Sequence, residues 1–153
     1  MSEHSVRKKL DCILLIDDDP ATNFLHKMII EQAQIAHEIR IVYNGQEAID
    51  YLIRSADYET PDPSTYPEPD LIFLDINMPV MDGWEFLEAY EERFSTHLKA
   101  TVICMLSTAL PKNVEHKINR RRIEISNFIE KPLRRNMLLD IMGHYFPEYV
   151  ERV

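Results

Sequence analysis

A doubly wound α/β fold, with helices on both faces of a parallel sheet, is what this sequence predicts, and three stretches carry that expectation. The run DLIFLDINMP, Asp70 to Pro79, takes four consecutive apolar residues, Leu71 to Leu74, straight into the carboxylate of Asp75. Cys12 to Ile16 ends in the same manner at Asp17, Asp18 and Asp19, and Thr101 to Leu106 runs into Ser107. Short apolar runs without alternation fit strands covered on both faces, as a parallel sheet requires. Ligands of open α/β sheets bind at the carboxyl ends of the strands, so polar groups placed there are candidates for chemistry.

The elements follow in order. Residues 1–9 form a polar leader, and 10–150 form one domain. The first strand, Cys12–Ile16, leads into a helix from Pro20 to about Gln34, since proline is favoured at a first helical turn. Phe24, Leu25, Met28 and Ile29 recur along it at helical spacing. His37 to Tyr43 alternates enough to be an edge strand, and Asn44-Gly45 marks a turn before a helix carrying Ala48, Ile49 and Leu52.

Residues 55–69, with four prolines, can continue neither kind of element and read as a loop insertion. It is either a tolerated surface excursion or a binding loop using Tyr58 and Tyr66. After the third strand, Leu71–Asp75, the Asp82-Gly83 turn opens a helix with Phe86, Leu87, Tyr90 and Phe94 in one stripe. The fourth strand is Thr101–Leu106, and Pro111 to Arg122 is a polar helix with Val114 and Ile118. The fifth strand, Phe128–Glu130, passes through Lys131 and Pro132 to a last helix marked by Leu133, Met137, Leu138, Ile141, Met142 and Tyr145. Five β-then-α units with right-handed crossovers produce the predicted sheet.

Composition narrows the function. A formal charge of −9 over 153 residues argues against binding to nucleic acid or an anionic membrane. No apolar run approaches the roughly 18 residues of a membrane span. Arg7, Lys8 and Lys9 precede an apolar run too short for a signal peptide. Cys12 and Cys104 lie inside strand-like runs and read as small buried residues in a reducing, cytoplasmic setting. Charge is uneven: 13 acidic residues stand against Arg54 alone between Glu47 and Glu92, whereas Lys112 to Arg135 holds 8 basic and 3 acidic. Solvated helix faces or a partner surface would each explain this.

Carboxylates from two strand ends cannot all stay ionised cheaply without a cation, and hard oxygen donors suit Mg²⁺. Phosphoryl transfer to a carboxylate further needs a nucleophile, a cation for the phosphoryl oxygens and a hydroxyl donor. Asp75, Lys131 and Ser107 are of those types.

Taken in order, LLIDDDP, LDINMPVMDG, LS and EKP resemble the response-regulator receiver domain of two-component signalling, over about Leu10 to Phe146. The resemblance implies a flavodoxin-like five-stranded parallel sheet in strand order 2-1-3-4-5. It implies that Asp75 is the phosphoacceptor and that Asp17 and Asp18 are the acidic pair for Mg²⁺, joined by the main-chain carbonyl of Asn77. Ser107 would bond the phosphoryl group, Lys131 would pair with it, and Phe128 would be the switch aromatic. The Lys131–Pro132 peptide would be cis. The implied donor is a sensor histidine kinase or a histidine phosphotransfer protein. Because the sequence stops after the fifth helix, the signal is expected to pass to a separate protein through the fourth helix, fifth strand and fifth helix.

Three features depart from the family pattern. Asp19 extends the acidic pair, and Asp17 and Asp18 are favoured because Asp17 directly follows the apolar run. The 55–69 insertion lengthens the gap to Asp75, and Ala109 stands where a polar side chain is frequent. A haloacid-dehalogenase-like phosphatase would share the D-x-D spelling of Asp17 to Asp19 but needs an acidic pair at a strand end after Lys131. Only Asp140, Glu148 and Glu151 follow, in helix or tail. A nucleotide-binding reading fails on its three scattered glycines.

Overall fold

The computed structural model describes residues 4–6, 8–55, 65–94, 101–107 and 127–152, with backbone alone for 4–6, 127–128 and 151–152. The elements are β1 (His4–Val6), β2 (Leu10–Ile16), α1 (Pro20–Ala33), β3 (Ala36–Val42), α2 (Gly45–Ser55) and β4 (Leu71–Asp75). Then come α3 (Gly83–Phe94), β5 (Val102–Ser107), β6 (Asn127–Glu130), α4 (Arg135–Tyr145), a 3-10 turn (Pro147–Tyr149) and β7 (Val150–Arg152). The expected helix at Pro111 to Arg122 lies outside the described residues.

β3-β2-β4-β5-β6 form one parallel sheet, which is the expected 2-1-3-4-5 order once β1 is set aside. Its unalternating apolar runs have a direct cause. Leu14, Ile16, Ile72 and Leu74 pack with Ala48, Leu52, Phe86 and Leu87 on the face covered by α2 and α3. Their strand neighbours Ile13, Leu15, Leu71 and Phe73 pack with Ile30, Ala33, Leu138 and Ile141 on the face covered by α1 and α4. Successive side chains point to opposite faces, so a sheet buried on both sides needs apolar residues at every position.

Register brings the strand ends level. Ile16 pairs with both Val42 and Leu74, Asp75 with Leu106, and Ser107 with Glu130. The residues that end β2, β4, β5 and β6 therefore face one edge.

Two expectations need correction. On α1 the apolar spacing of Phe24, Leu25 and Met28 marks the outer face: Phe24 is 70% exposed, and Leu25 and Met28 are also exposed. The inner face is Asn23, His26, Ile30 and Ala33. Two of these are polar, and each has a hydrogen-bond partner in the interior, which inverts the pattern that burial normally writes into a helix. The polar leader also contains structure, since β1 pairs antiparallel with β7 from His4 with Arg152 to Val6 with Val150. Three-residue strands carry too short a pattern to read, and their pairing joins opposite ends of the sequence.

Asn44-Gly45 is a helix cap rather than a free turn. Asn44 Oδ1 accepts the Glu47 amide while Glu47 Oε1 accepts that of Tyr43. The proline-rich loop is anchored at its end by Tyr51, whose hydroxyl donates to the Pro67 carbonyl at 2.5 Å. Tyr66 packs edge-on against Tyr51 and accepts from Arg54, so it is engaged in holding the loop. Tyr58 lies outside the described residues.

The inward face of α1 can be tested by truncation. Ile30→Ala should cost about 3 kcal/mol in chemical denaturation, whereas Met28→Ala should stay within about 0.5 kcal/mol of wild type.

Candidate functional site

The end of β2 delivers Asp17 to the sheet edge, where its amide donates to the Val42 carbonyl at 3.2 Å. Its side chain is spent inward: Oδ1 accepts the Asp19 amide at 3.0 Å and Oδ2 meets Lys131 Nζ at 2.7 Å. Asp19 is diverted to another task. It caps α1, accepting from the Ala21 amide and from the Thr22 hydroxyl at 2.6 Å, and the latter bond chiefly holds its carboxyl below the usual value. That leaves Asp17 and Asp18 as the pair facing the site.

Asp17, Asp18 and Asp75 bring one carboxylate oxygen each within 4.8 Å of the others. Asp17 and Asp75 are buried and Asp18 is exposed, so the cluster opens to solvent on one side. Lys131 Nζ reaches Asp75 Oδ1 at 3.0 Å as well as Asp17. Burial raises the Asp75 carboxyl above its ordinary range, and the contact with Lys131 only partly offsets this. Burial disfavours the Lys131 charge, but its bonds to Asp17 and Asp75 outweigh that and hold its ammonium above the usual lysine value. Oxygen donors of this charge and number fit a hard divalent cation such as Mg²⁺.

Backbone geometry fixes the supporting loops. The Lys131 amide donates to the Ser107 carbonyl at 2.7 Å, and the Lys131–Pro132 peptide is cis. Ser107 is buried at the end of β5, one residue past Leu106, the partner of Asp75. After β4 the chain turns through exposed Asn77, and the Gly83 amide donates back to Ile76 at 2.8 Å. A Cβ on Gly83 would stand 2.6 Å from the Asp75 carbonyl oxygen, a backbone atom that cannot step aside. Asp82 and Glu85 cap each other at the start of α3. Val80 sits at φ 69, a left-handed conformation that a β-branched residue rarely adopts. Its neighbour Met81 is pinned by bonds to Pro79 and Gly45.

The structure thus gathers Asp17, Asp18, Asp75 and Lys131 and sets Ser107 on the adjoining strand end. The backbone of Phe128 pairs with Met105, while its side chain, like Ala109, lies outside the described residues. Sequence reasoning missed Asn23 and His26, both buried beneath the site. Their signal was polar residues one turn apart on a helix opening at the acidic cluster. Cys104 takes no part: burial pushes its thiol up to about 12.

The family of response regulator receiver domains matches residues 13–142. The chain belongs to that family. The receiver is 32% identical to the response regulator Rcp1 of Synechocystis over 71% of this chain and 68% of that one. The Mn²⁺-bound form of Rcp1 shares the fold, with a TM-score of 0.66 and 24% identity over 88% of this chain and 94% of that chain. A two-component response regulator from Cytophaga hutchinsonii aligns with a TM-score of 0.73 and 31% identity, over 89% of this chain and 96% of that one. The phosphorylated cyanobacterial phytochrome response regulator RcpA aligns with a TM-score of 0.64 and 26% identity, over 91% and 93%. Receiver domains are signalling modules that bind a divalent metal at an acidic pocket, and the receiver carries such an aspartate cluster. Among the described residues no helix is long and apolar enough to cross a membrane.

Two outcomes follow from this geometry. Without divalent ions, Asp75→Asn should raise the melting temperature at pH 7. Because the folded carboxyl titrates above its unfolded value of 3.8, ionising it opposes folding at higher pH. The advantage should therefore vanish as pH falls through the folded value toward 3.8, which thermal scans at pH 7 and pH 4 will show. Gly83→Ala should destabilise by about 2 kcal/mol, because the clash is with backbone.

Proposed function

We propose that Asp75 accepts a phosphoryl group from the phosphohistidine of a sensor kinase or histidine phosphotransfer protein. The observation that carries this reading is the Lys131 ammonium held between buried Asp75 and Asp17, beside Asp18. In the transfer a carboxylate oxygen of Asp75 bonds to phosphorus as the N–P bond breaks, and the leaving imidazole keeps the electron pair. Burial makes that carboxylate more basic than an ordinary aspartate, while Lys131 keeps it compatible with approach of an anionic phosphoryl group. Lys131 would follow the incoming oxygens, and the Ser107 hydroxyl would donate to one of them.

Asp17, Asp18 and Asp75, whose carboxylate oxygens lie within 4.8 Å of one another, would hold Mg²⁺ together with the main-chain carbonyl of Asn77, and the ion would supply positive charge against the carboxylates and phosphoryl oxygens. In this reading residues 10–150 form one receiver working in the cytoplasm. It catalyses only its own phosphotransfer and slow self-dephosphorylation. Output runs to a separate protein, not nucleic acid, through the segment that includes β6 and α4. Phe128 is the proposed switch, and exposed Arg134 and Arg135 contribute basic charge there.

Intact-mass analysis after treatment with acetyl phosphate and Mg²⁺ should show a single added phosphate on wild type and none on Asp75→Asn. A modification that persists in Asp75→Asn would overturn the assignment. Lys131→Met should slow the labelling about a hundredfold, as loss of a charge at a developing oxyanion does.

A further inference from the structure

The sequence pattern and the proposed chemistry leave the inner face of α1 unexplained. Asn23 and His26 are each 2% exposed, where apolar side chains would bury at no polar cost. Asn23 Nδ2 donates to the Asp17 carbonyl at 2.9 Å. One turn further on, His26 Nε2 accepts the amide of Leu133 at 3.2 Å, across 107 residues of sequence. Leu133 stands two residues after Lys131, and Lys131 itself is tied on its other side to the Ser107 carbonyl. A single helix therefore bonds the backbone at Asp17 and at Leu133, two residues past Lys131, the partner of Asp17 in the ion pair.

We propose that His26 is a positioning residue for Lys131: its imidazole fixes the loop after β6 so that the ammonium stays aimed at Asp75 and Asp17. The proposal rests on Asp75 as phosphoacceptor and adds what holds its cation in place. The Lys131 side chain is long and flexible, so its aim depends on the backbone from which it starts. Ser107 fixes the chain entering Lys131, and His26 fixes the chain leaving Pro132. For Nε2 to accept a bond, the imidazole must be neutral with its proton on Nδ1. Burial, aided by the nearby Lys131 charge, keeps it in that form against the pull of Asp17. A histidine that only filled space would leave the aim of Lys131 indifferent to the acceptor.

The test compares wild type with His26→Gln, His26→Asn and His26→Leu. Glutamine carries an acceptor at the reach of Nε2; asparagine is too short and leucine has none. Labelling by acetyl phosphate at saturating Mg²⁺ should match wild type within about twofold in His26→Gln and fall about tenfold in the other two. The Mg²⁺ concentration for half-maximal labelling should stay unchanged, because the carboxylates are not touched. Hydrogen exchange at Leu133 should quicken only in the Asn and Leu variants.

Wild-type labelling rates in folded Asn and Leu variants would overturn the proposal, as would a folded Gln variant as slow as leucine. Should loss of the acceptor unfold the chain, the Gln variant decides alone: a retained rate supports the role and a lost one refutes it. Failure of the phosphoacceptor reading looks different, for then wild type and all three variants stay unlabelled or the label persists in Asp75→Asn.

Discussion

Two carboxylates buried at one sheet edge repel each other unless a cation stands between them, and here the Lys131 ammonium does so at 2.7 Å from Asp17 and 3.0 Å from Asp75. The rest of the site is arranged around that contact. Lys131 comes from the strand at one edge of the sheet and must reach toward carboxylates on β4 and β2. The level register of β2, β4, β5 and β6 brings the three backbones to the same edge. The contact is not at rest electrostatically. Burial keeps Asp75 more basic than a surface aspartate even with the ammonium beside it. A divalent cation beside the carboxylates, or added negative charge on Asp75, would redistribute the hold on Lys131.

Sheet and site are coupled through the loops. Because both faces of the sheet are sealed by helices, polar groups collect at the strand ends, where loops rather than core side chains meet them. Gly83 lets the chain after Asp75 fold back onto Ile76 at a spacing that no side chain would fit. Asp19, Asn44 and Asp82 each cap a helix that opens at this edge, which fixes the loops. The third aspartate of the acidic run thereby becomes structural, while the first two stay in the cluster with Asp75, Asp17 already bonded to Lys131.

The sheet was readable because its physics is simple. Burial on both faces forces continuous apolar runs, and polar groups at strand ends interrupt them abruptly, so Asp17, Asp75, Ser107 and Lys131 stood out as candidates. The strand order came with the family resemblance, and each expected element among the described residues fell within a few residues of its expected place. What stayed hidden depended on partners distant in sequence. Phe24, Leu25 and Met28 gave α1 a false inner face because Asn23 and His26 are buried by hydrogen bonds that only the fold can supply. The pairing of His4–Val6 with Val150–Arg152 was invisible for the same reason. Tyr66 looked available for binding in a proline-rich loop, yet Tyr51 and Arg54 already hold it.

The claim that Lys131 is clamped by two carboxylates is open to direct observation by nitrogen-15 NMR of its side-chain ammonium in the metal-free protein. The resonance should titrate above the ordinary lysine value of 10.5, and Asp75→Asn should move its titration back toward that value. A Lys131 ammonium that titrates at or below 10.5 and ignores the Asp75 substitution would contradict the account.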